Sequence, residues 1–487
     1  MLLFLSMLLP LLLGLALPLL PFKKAKHRSI YVECAVILTS ILVWIALGTR
    51  SDATYSLFSV GKGLLLSFRL DGPACIFTGL VSLLWPLATL YAFEYMEHEE
   101  RPTSFFSFYT MTYGITLAVA MAANLFTLYV FYECLTLITL PLVLHKKDVK
   151  SIRAGRKYLY FSISGAAMAF LTLVFMLHYG TGADFTLGGI LNMEKAAGHE
   201  TLLQFIFFLS FIGFGTKAAV FPMFAWLPMA SVAPTPVTAL LHAVAVVNTG
   251  AYAVLRVIYY VFGTSFLSGT AVHTVVLMLS CFSLLFGSSM AVREKHFKRR
   301  LAWSTVSNLS YMLMGAALMT PDGMVGSLSH LVCHGIMKIT LFYCAGAVLV
   351  RTGHEYVQDL RGLSKSMPVT CAAALLSSVA MVGIPPLCGF VSKWNLLTAA
   401  ADTLHWTGTV GVISILISAV LTAIYLFTAI LPMYFSPAAG QAPAAKKDPS
   451  WRMLVPLGVL SLLIVGLGLF SQPLITFLRQ ISQGTIF

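Results

Sequence analysis

The chain has 487 residues, of which 58% are hydrophobic and 10% are charged. Soluble proteins carry about a quarter charged residues, so this composition excludes an ordinary soluble globular protein. The net charge of +13 raises nucleic acid as a partner, but the basic residues lie mainly in short connections between apolar runs. There they indicate membrane topology, with anionic lipid headgroups as their partner and no nucleic acid.

Apolar runs of about 18 residues or more recur along the chain, each long enough to cross a hydrocarbon core of about 30 Å. They predict an all-α polytopic membrane protein with about fourteen transmembrane helices, called spans 1–14 below. The spans are centred near residues 11, 39, 84, 116, 134, 168, 214, 249, 281, 309, 338, 384, 421 and 463. The first run has no basic residue before it and "FKKAKHR" after it, the wrong polarity for a cleaved signal peptide.

The distribution of Lys and Arg predicts the orientation of the spans. With the N-terminus outside, the loops predicted to be cytoplasmic hold 22 of the 31 basic residues. The opposite loops and the C-terminal tail hold five: Arg50, Lys62, Arg69, Lys195 and Arg479. This asymmetry follows the positive-inside rule. It predicts a bacterial or archaeal cytoplasmic membrane protein with both termini on the outer side.

Cofactor motifs are absent from the sequence. The eight cysteines form no C-x-x-C pair, so we expect buried, small apolar side chains rather than metal or iron–sulfur ligands. No P-loop or G-x-G-x-x-G pattern follows a strand, and "GKG" at 61–63 lies in a loop. The sequence therefore predicts no cofactor and no metal, and it leaves open whether the chain is part of an enzyme.

Four basic residues fall within spans, namely Lys217, Arg256, Lys338 and Lys393, and one acidic residue, Glu133, lies deep in a span. An ionisable group at the bilayer centre costs about 2.5–3.5 kcal/mol on insertion scales. Such groups persist where they face a wet interior and have a partner or a function. Lys217 and Glu133 either form a structural ion pair between spans 5 and 7, or hold a proton that Lys217 gains and loses.

Arg256 and two further charged residues lie nearer the span ends. Arg256 is within two turns of the outer end of span 8, so we expect it to extend towards the headgroups. Glu33 and Asp71 are close to the ends of their spans, and we expect them to reach headgroups or water.

Span 11 contains "SHLVCHGIMKITLF", in which His330, His334 and Lys338 are spaced i, i+4, i+8. This spacing places them on one helix face over about 12 Å. A metal site is the alternative, but no carboxylate or cysteine completes the face and a protonated lysine is no ligand. We interpret the stripe as a series of proton-binding groups.

Spans 8 and 10 add polar groups to this interior. Span 8 contributes His242 and Asn248 within an apolar run. The polar residues of span 10 are Ser304, Thr305, Ser307, Asn308 and Ser310. These hydroxyls either bond to backbone carbonyls one turn back or hold water.

Two spans contain helix-breaking residues. Span 7 runs into "FPMFAWLPMASVAPTP", and span 12 contains "MVGIPPLCGFVSKWN". Proline interrupts a helix, and free carbonyls at membrane depth occur where they are buried in protein or line a wet cavity. The breaks fall fourth in two five-span blocks, which predicts two inverted repeats. The predicted units are 1–106 (spans 1–3 with an outer loop), 107–262 (spans 4–8), 271–435 (spans 9–13) and 452–487 (span 14).

Five motifs together resemble a known family. They are "ECLTLITLPLVL", "GFGTKAAVFPMFAWLPMASVAPTPVTALLHA", "RRLAWSTVSNLSYM", "HLVCHGIMKITLF" and "GIPPLCGFVSKWNLL". In order and spacing they are similar to the antiporter-like subunits shared by respiratory complex I, energy-converting membrane hydrogenases and multisubunit cation/proton antiporters. The likeness covers roughly residues 70–430.

The resemblance implies a proton relay in this chain and related membrane subunits as partners. Its members by position would be Glu133, Lys217, His242, His330, His334, Lys338 and Lys393. Lys217 would be the central lysine, Glu133 its tuning carboxylate and Lys393 the group nearest the exit. The family often has aspartate after "WLP", where this chain has Met229, a difference that bears on proton access from the cytoplasm.

Three functions remain open at this point. The first is a proton-translocating subunit of a redox-driven or cation/proton antiporter complex, which could still export sodium elsewhere. The second is a stand-alone secondary transporter for a cation or an anionic solute. The third is a membrane scaffold whose buried charges are structural only.

Overall fold

Helices dominate the computed structural model, which describes residues 2–49, 53–61, 64–182, 184–403, 405–435 and 447–486. The α-helices are α1 (Leu2–Ala16), α2 (Ala25–Thr49), α3 (Gly72–Tyr95), α4 (Pro102–Ala120), α5 (Leu125–Val143), α6 (Val149–Tyr179), α7 (Met193–Ala196), α8 (Glu200–Gly215), α9 (Trp226–Ala230), α10 (Thr235–Ala239), α11 (Val246–Arg256), α12 (Thr264–Leu267), α13 (Ala271–Arg293), α14 (Phe297–Ala317), α15 (Pro321–Thr352), α16 (Pro368–Val382), α17 (Cys388–Ala401), α18 (Trp406–Ile430), α19 (Trp451–Leu469) and α20 (Gln472–Ser482).

Short elements complete the described chain. The π-helical segments are Leu240–Val244 and Val257–Phe262. The 3₁₀ turns are Leu17–Leu19, Met96–His98, Val357–Leu360, Leu363–Lys365 and Leu431–Tyr434. Strands β1 (Tyr55–Gly61) and β2 (Leu64–Phe68) form an antiparallel hairpin.

The chain is a multi-pass membrane protein by the length and apolarity of its helices. Among the described residues, ten helices are long and apolar enough to cross a bilayer, and α8 and α16 are shorter apolar helices. Helix α15 and the α10–α11 segment are almost wholly enclosed by other helices, whereas α1, α2 and α19 present much of their surface outwards. The count of fourteen spans and the inverted repeats stay predictions.

Side-chain caps fix where several helices begin. Asp71 accepts the Ala74 backbone N–H at the start of α3, and Asn124 accepts that of Thr127 at the start of α5. Asp148 does the same for Ser151 at the start of α6. A carboxylate or amide oxygen at this position satisfies one of the free N–H groups of the first turn.

The connecting segments meet in two groups, one at each end of the helix bundle. One end, called the basic face below, carries the Lys146–Glu99, Arg452–Glu97 and His296–Glu355 ion pairs. Arg50, Lys62 and most of the 436–452 loop, which entered the predicted charge asymmetry, lie outside the described residues.

The other end is called the opposite face. There Arg69 donates to the Phe185 carbonyl and Tyr259 to that of Thr320. Phe4 packs on Tyr55 and Phe68 of the hairpin at this face, and Ile481 of α20 lies against Gly72. The described residues near both chain ends therefore lie at the same face.

The interruptions expected in spans 7 and 12 are present. Helix α8 ends at Gly215 and α9 begins at Trp226, and Lys217 lies in the connection. Helix α16 ends at Val382 and α17 begins at Cys388, five residues before Lys393. At this second break Gly383 has a φ of 98°, a conformation that favours glycine.

The predicted position of Arg256 is wrong. Arg256 is wholly buried, and its Nη1 donates to Asp71 Oδ2 at 2.7 Å while its Nη2 bonds to Asp71 Oδ1. Tyr252 accepts from Arg256 Nε at 2.9 Å. Because this segment is enclosed on all sides, the guanidinium cannot reach the headgroups. Asp71, also expected to reach water, is its buried partner.

Two further positions differ from expectation. Glu33 lies inside α2, half-buried, and its Oε2 has no hydrogen-bond partner within the described chain. Cys34 is exposed, although all eight cysteines were expected to be buried. The reason is that α2 is peripheral, so that one of its faces is directed outwards.

The Arg256–Asp71 pair should dominate the stability of this region. We expect Arg256→Met to lower the free energy of unfolding by about 3–5 kcal/mol, because it removes the two-pronged partner of a buried carboxylate and leaves only the more distant Arg69 guanidinium, 3.5 Å away. Thermal and denaturant unfolding in mild detergent measure the change. Arg479→Ala, at an exposed residue of α20, is the control and should unfold like the wild type. Equal midpoints for both variants would contradict this.

Candidate functional site

The seven titratable residues predicted from the sequence lie along the enclosed centre of the helix bundle, and together they are called the file below. Six of the seven residues predicted from the sequence are almost wholly buried. Their exposed fractions are 1% for Lys217, 0% for His242, His330, His334 and Lys338, and 6% for Lys393. The seventh, Glu133, has a side chain that is 26% exposed.

Lys217 lies beside α5 in the break between α8 and α9. Its ammonium donates to the Tyr132 backbone carbonyl and lies 3.4 Å from the centre of the Tyr132 ring. Gly250 lets α11 pack closely against the Lys217 backbone on another side, since a Cβ there would stand 2.7 Å from the Lys217 carbonyl carbon and 2.9 Å from Lys217 Cβ. Carbonyl and ring thus stabilise the cation from two sides.

The predicted pair of Lys217 and Glu133 is present but loose. Lys217 Nζ lies 3.8 Å from Glu133 Oε1, beyond normal hydrogen-bond length. That oxygen is shielded and has no hydrogen-bond partner among the described residues. The Glu133 carboxylate therefore retains a free acceptor beside the lysine.

His242 lies in the π-helical segment Leu240–Val244. Its ring centre is 5.0 Å from that of Phe342 on α15, and both of its ring nitrogens lack partners in the described structure. Helix α11 begins at Val246, with one residue between it and this segment. Asn248 of α11 donates to the Ala243 carbonyl at 2.8 Å. π-Helical turns are rare and often occur at functional sites, but the sequence pattern did not predict this one.

The stripe predicted on span 11 lies on α15. The rings of His330 and His334 have centres 6.2 Å apart. His330 Nδ1 lies 3.0 Å from Ser392 Oγ of α17. Its Nε2 and both nitrogens of His334 have no partner in the described part of the chain.

Lys338 completes the stripe and is directed towards α14. Its ammonium donates to the Leu301 carbonyl at 3.3 Å and to Ser304 Oγ. Ser304 Oγ in turn lies 2.8 Å from the Tyr425 hydroxyl of α18. A lysine, a serine and a tyrosine thus form a hydrogen-bonded chain across three helices.

Lys393 binds the broken end of α16. Its ammonium donates to the carbonyls of Met381 at 2.7 Å and Val382 at 3.2 Å. These are terminal carbonyls, which the interrupted helix leaves without intrahelical partners. The Tyr311 ring centre is 5.0 Å away.

The polar residues of span 10 have different roles. Thr305 and Ser310 bond to carbonyls four residues back, at Leu301 and Val306. Ser304 contacts Lys338, while Ser307 Oγ lies 2.7 Å from Ser288 Oγ and 3.2 Å from Ser418 Oγ.

Four contributors to the site were not predicted from the sequence: Tyr132, Tyr311, Ser392 and Tyr425. Tyr132 and Ser392 each directly precede a predicted site residue, and adjacency was their only signal. The two other tyrosines come from helices whose proximity appears only in the fold.

The file is not closed by direct hydrogen bonds. Within the described residues, none joins Lys217 to His242 or His242 to His334. Instead, unpartnered polar atoms of His242, Asn248, His334 and His330 follow one another through the interior. An unsatisfied buried polar group costs about 1–3 kcal/mol, and bound water satisfies such groups where there is room.

The described residues show no cluster of metal-ligating side chains. They contain no group of three or more His, Cys, Asp or Glu side chains suited to a metal ion, and no described cysteine is in a disulfide. The buried donor set consists of amines, imidazoles and hydroxyls, a set suited to holding protons.

Residues 122–422 match the family described as NADH:quinone oxidoreductase/Mrp antiporter, transmembrane. The chain is 32% identical to NADH-quinone oxidoreductase subunit N of Desulforudis audaxviator, covering 82% of this chain and 81% of that protein. It is 30% identical to a probable K(+)/H(+) antiporter component of Rhizobium meliloti, covering 83% and 40%. It is 28% identical to hydrogenase-4 component B of Escherichia coli, covering 86% and 64%. The chain thus spans less than two thirds of the last two proteins.

Solved structures share the fold. A chain of the archaeal membrane-bound sulfane sulfur reductase superposes with a TM-score of 0.84 at 22% identity, covering 98% of this chain and 96% of that one. A chain of the Mrp complex from Dietzia sp. superposes with a TM-score of 0.85 at 24% identity, covering 99% and 52%. The family match and the subunit N relative together show that the chain belongs to the NADH:quinone oxidoreductase/Mrp antiporter family of antiporter-like membrane subunits.

Proposed function

We propose that the chain conducts protons across the membrane, as one subunit of a larger redox-driven or cation/proton antiporter complex. The observation that carries this is the enclosed file of three lysines and three histidines, with Glu133 beside its first lysine. A low-dielectric interior favours neutral amines and imidazoles, while a nearby carboxylate favours the ammonium form. Small changes in the surroundings can therefore move a proton between neighbouring groups.

In this proposal Lys217 and Glu133 form the first proton-binding site of the pathway. The 3.8 Å separation and the free Glu133 oxygen mean that the carboxylate affects the charge of Lys217 without fixing it in a saturated hydrogen bond. A shift of either side chain would strengthen or weaken the pair. Energy released in a partner chain could be coupled to proton movement in this way.

The two predicted units, 107–262 and 271–435, are connected in this proposal by His242, His334, His330 and Lys338. Lys393 is the last proton-binding group of the pathway. Each imidazole nitrogen without a partner can accept or donate a proton through a bridging water. The Lys393 side chain reaches back from α17 to the break between α16 and α17, where helix carbonyls replace a carboxylate as its partner. We also propose that units 107–262 and 271–435 are inverted repeats, because each contains one broken helix with a lysine.

The transported ion is a proton in this proposal, even if the assembled complex exports sodium through other chains. Sodium binds preferentially to several oxygen ligands. Glu133 is the one carboxylate in the file, and the ammonium groups repel a cation. The energy source and the electron donor and acceptor would belong to partner chains, including related antiporter-like subunits.

We place the basic face in the cytoplasm of a bacterial or archaeal cell, with both chain ends outside. The support is the concentration of Lys and Arg in the loops of that face. In this orientation the 231–234 connection also belongs to the cytoplasmic side. Met229, which lies just before that connection, is on the same side.

A second candidate is a stand-alone secondary transporter for a cation or an anionic solute. The observation that favours an anionic solute is that neither Lys338 nor Lys393 has a carboxylate within ion-pair distance in the described residues, where their partners are a hydroxyl and backbone carbonyls. This function predicts solute transport by the purified single chain. A chain that transports only within its co-purified complex would exclude it.

Removing the central lysine tests the proton pathway. We expect Lys217→Ala to lower proton uptake by vesicles containing the co-purified complex by about 100-fold or more, since a positioned proton carrier contributes that much. A pH-sensitive dye records the uptake. Lys195→Ala, at an exposed lysine of the opposite face, should transport at the wild-type rate. Wild-type uptake by Lys217→Ala would refute the proposal.

Lys338→Met separates transport from a scaffold role. Methionine keeps much of the side-chain length and removes a buried charge, so stability should be unchanged or higher. Proton uptake should fall about 100-fold, measured beside the thermal unfolding midpoint and with Lys365→Met as the exposed control. A lower midpoint with full proton uptake would instead support the scaffold.

Cysteine labelling tests the orientation. In a Cys34→Ser background, a membrane-impermeant maleimide should label Lys195→Cys in intact cells and Lys295→Cys only after the cells are opened. Both lysines are exposed and lie at opposite faces. The reverse labelling pattern would invert the proposed topology.

A further inference from the structure

The connection between α9 and α10 meets the start of α14 at the basic face. Lys298, the second residue of α14, donates from Nζ to the Ala233 carbonyl at 2.8 Å. Thr238 Oγ1 of α10 lies 3.1 Å from the same carbonyl and 3.2 Å from that of Pro234, so that its hydroxyl donates to either. One backbone oxygen therefore holds an ammonium group and a hydroxyl group side by side.

Thr238 leads from this carbonyl towards the buried file. Thr238 and His242 are four residues apart, so His242 lies about 6 Å deeper along the segment on roughly the same face. Both are wholly buried. Both nitrogens of His242 lack partners among the described residues, so the imidazole is free to accept a proton.

Charged and polar groups surround Lys298 on its solvent side. His296 Nε2 lies 3.5 Å from Glu355 Oε2, and Lys146 Nζ lies 3.4 Å from Glu99 Oε1. Burial opposes the charge of Lys146, but the Glu99 carboxylate outweighs it and raises the pKa of that lysine. Glu355 is about half exposed and can exchange protons with water.

Unsatisfied atoms mark this region as one that holds water. Ser231 Oγ is buried without a partner, and so is His296 Nδ1, within the described chain. Ser231 lies two residues before the shared Ala233 carbonyl. Buried polar atoms of this kind are usually satisfied by ordered water.

We propose that Lys298 and Thr238 form the proton-uptake path from the basic face to His242. The inference rests on the proposed function and names where its protons enter. One proton passes from water to the neutral Lys298 amine. The ammonium then gives it through a bridging water to the Thr238 hydroxyl, as that hydroxyl gives its own proton through a second water to His242. Each step transfers one proton and no other atom.

The shared carbonyl suits this role because it holds Lys298 in either state. An ammonium and a neutral amine both have N–H groups to donate, whereas an ion pair would be lost with the proton. The described residues place no carboxylate on the path between Lys298 and His242. This agrees with Met229, which stands where the family often has an aspartate.

Four variants of the co-purified complex, each checked for assembly, test the path by the initial rate of proton uptake. We expect Lys298→Met and Thr238→Val to lower the rate by about tenfold or more, while Thr238→Ser keeps it. Lys298→Arg should also be slow, because arginine keeps the charge but does not release its proton. The controls are Lys295→Met, at an exposed neighbour, and Thr116→Val, at a buried threonine of α4 that bonds to Thr112.

The outcomes separate this path from the proposed function. Wild-type uptake by Lys298→Met and Thr238→Val, with Lys217→Ala inactive, would overturn the path and leave the function standing. Full uptake by Lys298→Arg would show that Lys298 acts only as a fixed charge, and would also overturn it. Wild-type uptake by Lys217→Ala would overturn the function itself.

Discussion

Backbone carbonyls, rather than carboxylates, hold the buried lysines of this protein. Lys217 donates to the carbonyl of Tyr132, Lys338 to that of Leu301, and Lys393 to those of Met381 and Val382. A carbonyl accepts a hydrogen bond from an ammonium and from a neutral amine, so the contact survives loss of the proton. At Lys338 and Lys393 the interior can therefore lose a charge without leaving a carboxylate unpaired, whereas at Lys217 the nearby Glu133 carboxylate would lose its cation.

This constraint connects the function to the irregular parts of the fold. The carbonyls of a regular helix already accept its own backbone N–H groups and offer a side chain only their second lone pair, as at Tyr132 and Leu301. An interruption or an end leaves carbonyls wholly free for a side chain. The break after Val382 supplies the partners of Lys393, and the connection before α10 supplies that of Lys298. The breaks cost helix hydrogen bonds, and the enclosing helices offset that cost by burying the apolar faces around them.

The membrane fold and the burial of Lys217 and Lys393 could be predicted from the sequence. A proline or an isolated charge within an apolar run is costly in a bilayer unless protein encloses it. Prediction from the sequence failed where partners are distant in the chain. Asp71 and Arg256 are 185 positions apart, and each looks like a residue at a helix end until the fold joins them. The π-helical turn at His242 also has no sequence pattern of its own, since tertiary packing decides it. Cys34 was misjudged because hydrophobicity does not distinguish a lipid-facing surface from a protein core.

The two buried ion pairs differ in ways that fit different roles. Arg256 and Asp71 form a two-pronged, saturated pair, and arginine keeps its proton under all ordinary conditions. Such a pair fixes the positions of α3 and α11 but cannot carry a proton. Lys217 Nζ and Glu133 Oε1 lie 3.8 Å apart, and that oxygen has no hydrogen-bond partner among the described residues. Lysine releases its proton when its surroundings change. In the proposed function, the difference between the two cations, and between saturated and open geometry, separates structural charges from those that release a proton.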